Sequence, residues 1–174
     1  MTETDVPGAV VARVLPATPQ EVFDEWVDAD AFAEWMCPRP ARPIRVEVDA
    51  RVGGKLLIDI EDGDARFFVT GTYLQVAAPH VLQFTWSCTT WNDPTIESVV
   101  TVTLAPHGES ETLMTIHHAL LPPEVVVDHE RGWTLISGQL DDLLHQRRNL
   151  EPGCLAALNP GAPADHSGRS SDRR

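Results

Sequence analysis

The amino-acid sequence predicts an α+β domain in which a seven-stranded antiparallel sheet and two short helices close around one long C-terminal helix. Two changes of period carry this reading. Between residues 44 and 120 apolar side chains recur every second position, as in half-buried strands; between 124 and 148 they recur at helical spacing, at Trp133, Ile136, Leu140, Leu143 and Leu144. The pair Pro122-Pro123 marks the switch, because neither residue can donate to a sheet ladder. A sheet gripping one terminal helix encloses a cavity between the two.

Residues 9–15 form an apolar, β-branched run that suits a first strand and stops at Pro16. Thr18, Pro19 and Glu21 are the parts of a helix start: a hydroxyl N-cap, a proline at the first helical position and the acid of a capping box. Val22, Phe23, Trp26 and Val27 then share one face. Asp28 or Asp30 can cap a second short helix bearing Phe32, Trp35 and Met36, which Pro38 and Pro40 stop, so that the two helices form a V. Ile44, Val46 and Val48 next alternate with Arg45, Glu47 and Asp49, and Gly53-Gly54 turns the chain into a strand over 55–60 that ends in the acidic turn Glu61-Asp62-Gly63-Asp64. Residues 67–76, 81–88, 96–104 and 113–120 supply four more strands, separated by Ala78-Pro79-His80, Asn92-Asp93-Pro94 and Pro106-His107-Gly108. Glu124 or Asp128 opens the long helix. The chain thus divides into a short N-terminal segment (1–8), one domain (9–148) and a tail (149–174) rich in Pro, Gly, Ser, Asp and Arg, whose composition cannot offset its ordering entropy and predicts disorder.

Composition narrows the function classes. The 174 residues, 43% hydrophobic, suffice for one core and leave no room for a second. With 13 basic against 26 acidic residues the formal charge is -13, which opposes approach to phosphate backbones and anionic lipid, so neither nucleic acid nor a membrane is an expected partner. The opening MTETDVPGAV has no basic n-region, and no segment approaches the roughly 20 apolar residues of a membrane span; a soluble, cytoplasmic protein is expected. Cys37, Cys88 and Cys154 are scattered and form no CxxC, which predicts reduced thiols rather than disulfides or zinc ligands. No metal or other cofactor is expected.

Several short words, in order, resemble one family: Val52-Gly53-Gly54-Lys55, Gly71-Thr72-Tyr73-Leu74, Phe84-Thr85-Trp86, the run Val99-Val100-Thr101-Val102-Thr103-Leu104 followed by Gly108, the stretch from His117 to Leu120, and Gly132-Trp133 through Gln139-Leu140. They resemble the homologues of the activator of heat-shock-protein ATPase, within the START and birch-pollen-allergen-like (SRPBCC) superfamily. The resemblance spans residues 9–148 and implies the helix-grip, START-like fold. It implies several functions without choosing among them. These are co-chaperone-like partner binding, polyketide aromatase/cyclase activity, binding of lipids or hormones, and self-resistance by uptake of reactive enediyne antibiotics.

Trp35, Trp86 and Trp133, with Ile136 and Leu140, are expected to line the cavity where V, sheet and terminal helix converge, since an indole offers a large apolar face with one donor. Trp26, among Val22 and Phe23, reads as core, and Trp91, in the polar connection 89–95, as a flap over the mouth or an incidental loop aromatic. His117 and His118 are adjacent on a strand, so one faces inward. The resemblance puts His117 inside beside Thr115 and Leu113, whereas Met114 and Ile116 argue for the opposite face. The inward ring is either a hydrogen-bonded part of the wall or an acid-base group. A metal site would need convergent ligands that adjacent strand residues cannot give. Glu61, Asp62 and Asp64 lack the spacing of a calcium loop, Gly53-Gly54 lacks the third glycine and helix of a dinucleotide site, and no GxSxG or GxxxxGK[ST] occurs. The enediyne branch of the resemblance would add Gly132 and Gly138 as sacrificial hydrogen donors through their backbone Cα–H; close helix packing is the plainer reason for both.

The expectation is therefore a monomer or weak homodimer that binds a hydrophobic, aromatic or polycyclic small molecule, in natural-product handling, sequestration or self-resistance. The competing readings are a polyketide cyclase using His117 as base, and a module that binds a chaperone through its outer surface.

Overall fold

The computed structural model describes residues 8–157, with side chains through residue 150. Strand β1 (Gly8–Leu15) leads into helices α1 (Pro19–Val27) and α2 (Ala29–Trp35). Six strands follow: β2 (Arg42–Val48), β3 (Lys55–Asp62), β4 (Ala65–Ala77), β5 (Val81–Cys88), β6 (Ser98–His107) and β7 (Glu111–Ala119). A single 3-10 turn (Pro123–Val125) then opens helix α3 (Val126–Ala157). The seven strands form one antiparallel sheet in the order β1-β7-β6-β5-β4-β3-β2. This is the helix-grip, START-like α+β fold.

Local chemistry sets the helix starts. Thr18 accepts from the Glu21 N–H while the Glu21 carboxylate accepts from the Thr18 N–H at 2.7 Å, closing the capping box. Asp28, not Asp30, caps α2 by accepting from the Ala31 N–H at 2.9 Å. Neither Glu124 nor Asp128 caps the last helix: the turn before it starts at Pro122 without any side-chain cap. Helix α3 also continues past Arg148 to Ala157, where the sequence predicts a disordered tail from residue 149. Extending an existing helix needs no new nucleus, so unfavourable composition stops it later than composition alone suggests. Residues 1–7 and 158–174, the rest of the two predicted terminal segments, lie outside the described residues.

Alternation decides which side of each strand meets α3. Val100, Val102 and Leu104 on β6 and Met114, Ile116 and His118 on β7 are buried, as are Leu56, Ile58 and Ile60 on β3. The pairing slips at the sheet edge, where an irregularity between Pro43 and Arg45 leaves Ile44 43% exposed, and again in β4 between Tyr73 and Gln75, where Leu74 is exposed. Trp35 of the V packs edge to face against Trp26 at 4.9 Å and Phe32 at 5.2 Å, and these last two rings meet at a tilt at 5.9 Å, sealing one end of the core. Among the described residues no helix is long and apolar enough to cross a membrane.

Candidate functional site

A cavity of about 450 Å³ lies between the sheet and the first turns of α3. Ile58, Ile60, Phe67 and Val69 of β3 and β4 form its floor, and Met36, Cys37, Pro38 and Ala41 of the α2–β2 connection form one side. Trp86, Cys88, Thr90 and Trp91 close the β5 side, while Val125, Asp128, His129, Gly132, Trp133 and Ile136 form the roof. Among the described residues, no lysine or arginine is on this wall. The few polar groups therefore stand out: Thr90 Oγ1 and Cys88 Sγ share a hydrogen bond of 3.1 Å, while the Trp86 indole N–H is buried without a partner.

The deep end is held by a buried chain of hydrogen bonds. Trp133 Nε1–H donates to His118 Nδ1 at 3.0 Å. That nitrogen must then carry a lone pair, so in the neutral ring the proton sits on Nε2 and is donated to Ser98 Oγ at 2.7 Å. Ser98 Oγ–H in turn donates to the Trp86 carbonyl at 2.7 Å. His118 is 0% exposed, and burial, reinforced by His129 and His117, pushes its pKa down to about 2. With both nitrogens engaged, the ring fixes two tryptophan neighbours in the wall and has no lone pair to offer a substrate. Cys37 is similarly inert, because burial pushes its thiol up to about 12.

Trp86, Trp133 and Ile136 stand on the wall as the sequence suggests; Trp35, Leu140 and His117 do not. Trp35 turns into the aromatic cluster of the V, against Trp26. Leu140 is fully buried one turn beyond Ile136, where α3 has already closed onto the core. His117 belongs to the outer face, because Met114, Ile116 and His118 take the inner one. The apolar alternation of β7 thus identifies the inward histidine correctly, against the placement the resemblance implies.

Two wall residues were not anticipated from the sequence as a pair. Trp91 is buried and meets His129 edge to face at 5.6 Å, and His129 meets His118 at 5.1 Å. His129 was legible in principle: it stands one turn before Trp133 on the same helical stripe. Gly132 lies on the roof, whereas Gly138 faces Arg13 on another side of the helix. A Cβ at Gly132 would meet only Pro38 at 3.9 Å and one at Gly138 only Arg13 at 3.6 Å, which is ordinary contact, so tight packing does not demand either glycine.

The family model for activator of Hsp90 ATPase homolog 1-like protein matches residues 16–145. The chain belongs to this family. No curated protein matches it. A Chromobacterium violaceum protein of known structure is 27% identical, with a TM-score of 0.66 over 78% of this chain and 94% of that one. The AHSA1 protein of Silicibacter pomeroyi is 24% identical, with a TM-score of 0.71 over 81% and 99%. CalU16 of Micromonospora echinospora is 22% identical, with a TM-score of 0.59 over 86% and 85%. The last two likenesses establish the family's fold in this chain and nothing more specific.

Proposed function

We propose that this protein binds a hydrophobic, aromatic or polycyclic small molecule in the cavity under α3. The observation that supports this is the wall itself: apolar side chains and three tryptophan rings around about 450 Å³, with no lysine or arginine and no nucleophile beside a base among the described residues. Burial of apolar ligand surface there is worth roughly 25 cal/mol per Å², enough to hold a flat ring system without any ionic contact. The role that fits is natural-product handling in the cytoplasm, by sequestration or, in its sharper form, self-resistance to an enediyne-type antibiotic. For that sharper form Gly132 is the better placed hydrogen donor of the two glycines, since it is on the cavity roof and its packing leaves room for a methyl group. The cyclase reading loses support because His117 is on the outer face and His118 has both nitrogens occupied.

The test is a screen of ligand-induced melting shifts across metabolite classes. A ligand at 100 times its dissociation constant should stabilise the fold by about 2.7 kcal/mol. Aromatic or polycyclic compounds should raise the melting temperature while sugars, nucleotides and short acids should not. A screen in which only polar metabolites shift the transition would overturn the proposal.

A further inference from the structure

Two ring nitrogens on the cavity wall are left to orient a bound molecule: the Trp86 indole N–H, a buried donor without a partner, and Nε2 of His129, an acceptor. His129 Nδ1–H donates to the Val125 carbonyl at 2.9 Å, the backbone of its own helix turn. In the neutral ring this leaves the lone pair on Nε2, on the far side of the imidazole, and none of the described residues hydrogen-bonds that atom. Burial lowers the pKa of this histidine, against the opposing effects of the Val125 carbonyl and Asp128, which keeps the ring neutral near pH 7. Trp91 and His118 pack edge to face against it, so the acceptor is held in one orientation before any ligand arrives. His118, its neighbour, makes the contrast: there the same ring has no nitrogen to spare.

The chemistry of the partner follows from what surrounds the atom. A neutral acceptor calls for a donor, the apolar wall calls for a flat ring, and Asp128, with no lysine or arginine on the wall among the described residues, disfavours a carboxylate or phosphate. We propose that His129 Nε2 accepts the hydrogen bond of an aromatic hydroxyl, so that the cavity selects phenolic ring systems over their methyl ethers. This rests on the cavity being the binding site and names the class of molecule it takes.

The test compares 1-hydroxypyrene with 1-methoxypyrene, two probes that differ in one donor, by fluorescence titration at pH 7.5. The hydroxyl probe should bind the unaltered protein roughly five-fold more tightly, the worth of one net hydrogen bond. In His129→Phe, which keeps a ring and removes the acceptor, the ratio should fall to one or below. In His129→Gln, whose amide oxygen can stand near the Nε2 position, part of the preference should return. A nitrogen NMR spectrum of the unaltered protein should show the His129 Nε2 resonance moving with 1-hydroxypyrene and not with the ether, which decides the matter even if a variant folds poorly. Equal affinity for the two probes, or a hydroxyl preference that survives His129→Phe, would overturn the inference while leaving the cavity as a binding site. Failure of both probes to bind the unaltered protein would overturn the cavity reading along with it.

Discussion

Residues 126–136 of α3 look onto an apolar cavity, whereas residues 137–148 of the same helix are fastened to the rest of the protein by polar clasps. Arg13 reaches from β1 to Ser137 and Asp141, both at 3.2 Å. Gln139 donates to the Trp35 and Cys37 carbonyls at 2.8 and 2.9 Å and accepts from the Arg39 N–H at 3.1 Å. Arg147 pairs with Glu25 of α1 and, at 3.3 Å, with Glu34 of α2, and Arg148 donates to Ser110 at 3.0 Å. Apolar packing is non-directional and tends to fill space; hydrogen bonds fix direction. A helix anchored directionally along one half can roof a cavity with the other half without collapsing into it.

The largest break in this comparison should come from truncating one core residue on each side of the divide. Trp133→Ala removes wall and strands the His118 Nδ1 acceptor, and should cost roughly 3–5 kcal/mol of stability together with most ligand affinity. Leu140→Ala, in the anchored half, should cost roughly 2–5 kcal/mol by urea denaturation while the folded fraction binds ligand as before. If Leu140→Ala weakens affinity as much as Trp133→Ala does, the two halves are not separable.

Acid should act on the cavity half. Because His118 stays neutral in the folded protein and has an ordinary value of 6.5 when unfolded, the unfolded chain takes up a proton below that pH and the folded chain does not. The stability it contributes is complete above 6.5 and is lost as pH falls toward the folded value of about 2. At about 1.4 kcal/mol per pH unit, the loss between pH 6.5 and 5 should be about 2 kcal/mol. Half-buried His129, also lowered, adds in the same direction. Urea melts across this range on the unaltered protein and on His118→Gln, which cannot protonate, should show a steeper loss in the former; parallel profiles would mean that His118 is not held neutral.

On the anchored side, Gln139→Ala should cost about 1–3 kcal/mol, because it leaves carbonyls of the α2–β2 connection without their donor. Those bonds also hold Cys37 at a φ of 82°, a left-handed conformation that a side chain rarely adopts. Hydrogen exchange in the α2–β2 connection should rise in this variant, and exchange there that matches the unaltered protein would count against the clasp. The smallest effect has the opposite sign: Gly132→Ala should stabilise the helix by about 0.5–1 kcal/mol in thermal melts, since the new methyl group meets only Pro38 at 3.9 Å, yet it should weaken binding by narrowing the roof. A drop in stability would show that the helix there is already tightly packed.

Elements governed by short-range chemistry were legible in the sequence. The Thr18 capping box, the prolines that stop α2, the exchange of period two for the helical period at Pro122-Pro123, and the strand over 81–88 each depend on neighbours within a few residues, and all appear in the fold. The inward histidine could also be read, because strand parity is local and Met114 and Ile116 already set it. What the cavity keeps and what the core absorbs could not. Trp35, Trp86 and Leu140 are equally apolar, and nothing in their spacing says that one faces an open space while the others meet atoms. That depends on how far α3 lies from the sheet at each turn, which Arg13, Gln139 and Arg147 set across 100 or more residues of chain. The pairing of Trp91 with His129 is decided in the same way, by a loop and a helix turn that approach only once the sheet has formed. The sequence by itself determined the elements and their order, because periodicity and capping act within a turn or two. Only the tertiary structure decided where the cavity lies and which of His118 and His129 keeps a lone pair toward it, because both depend on distances between groups far apart along the chain.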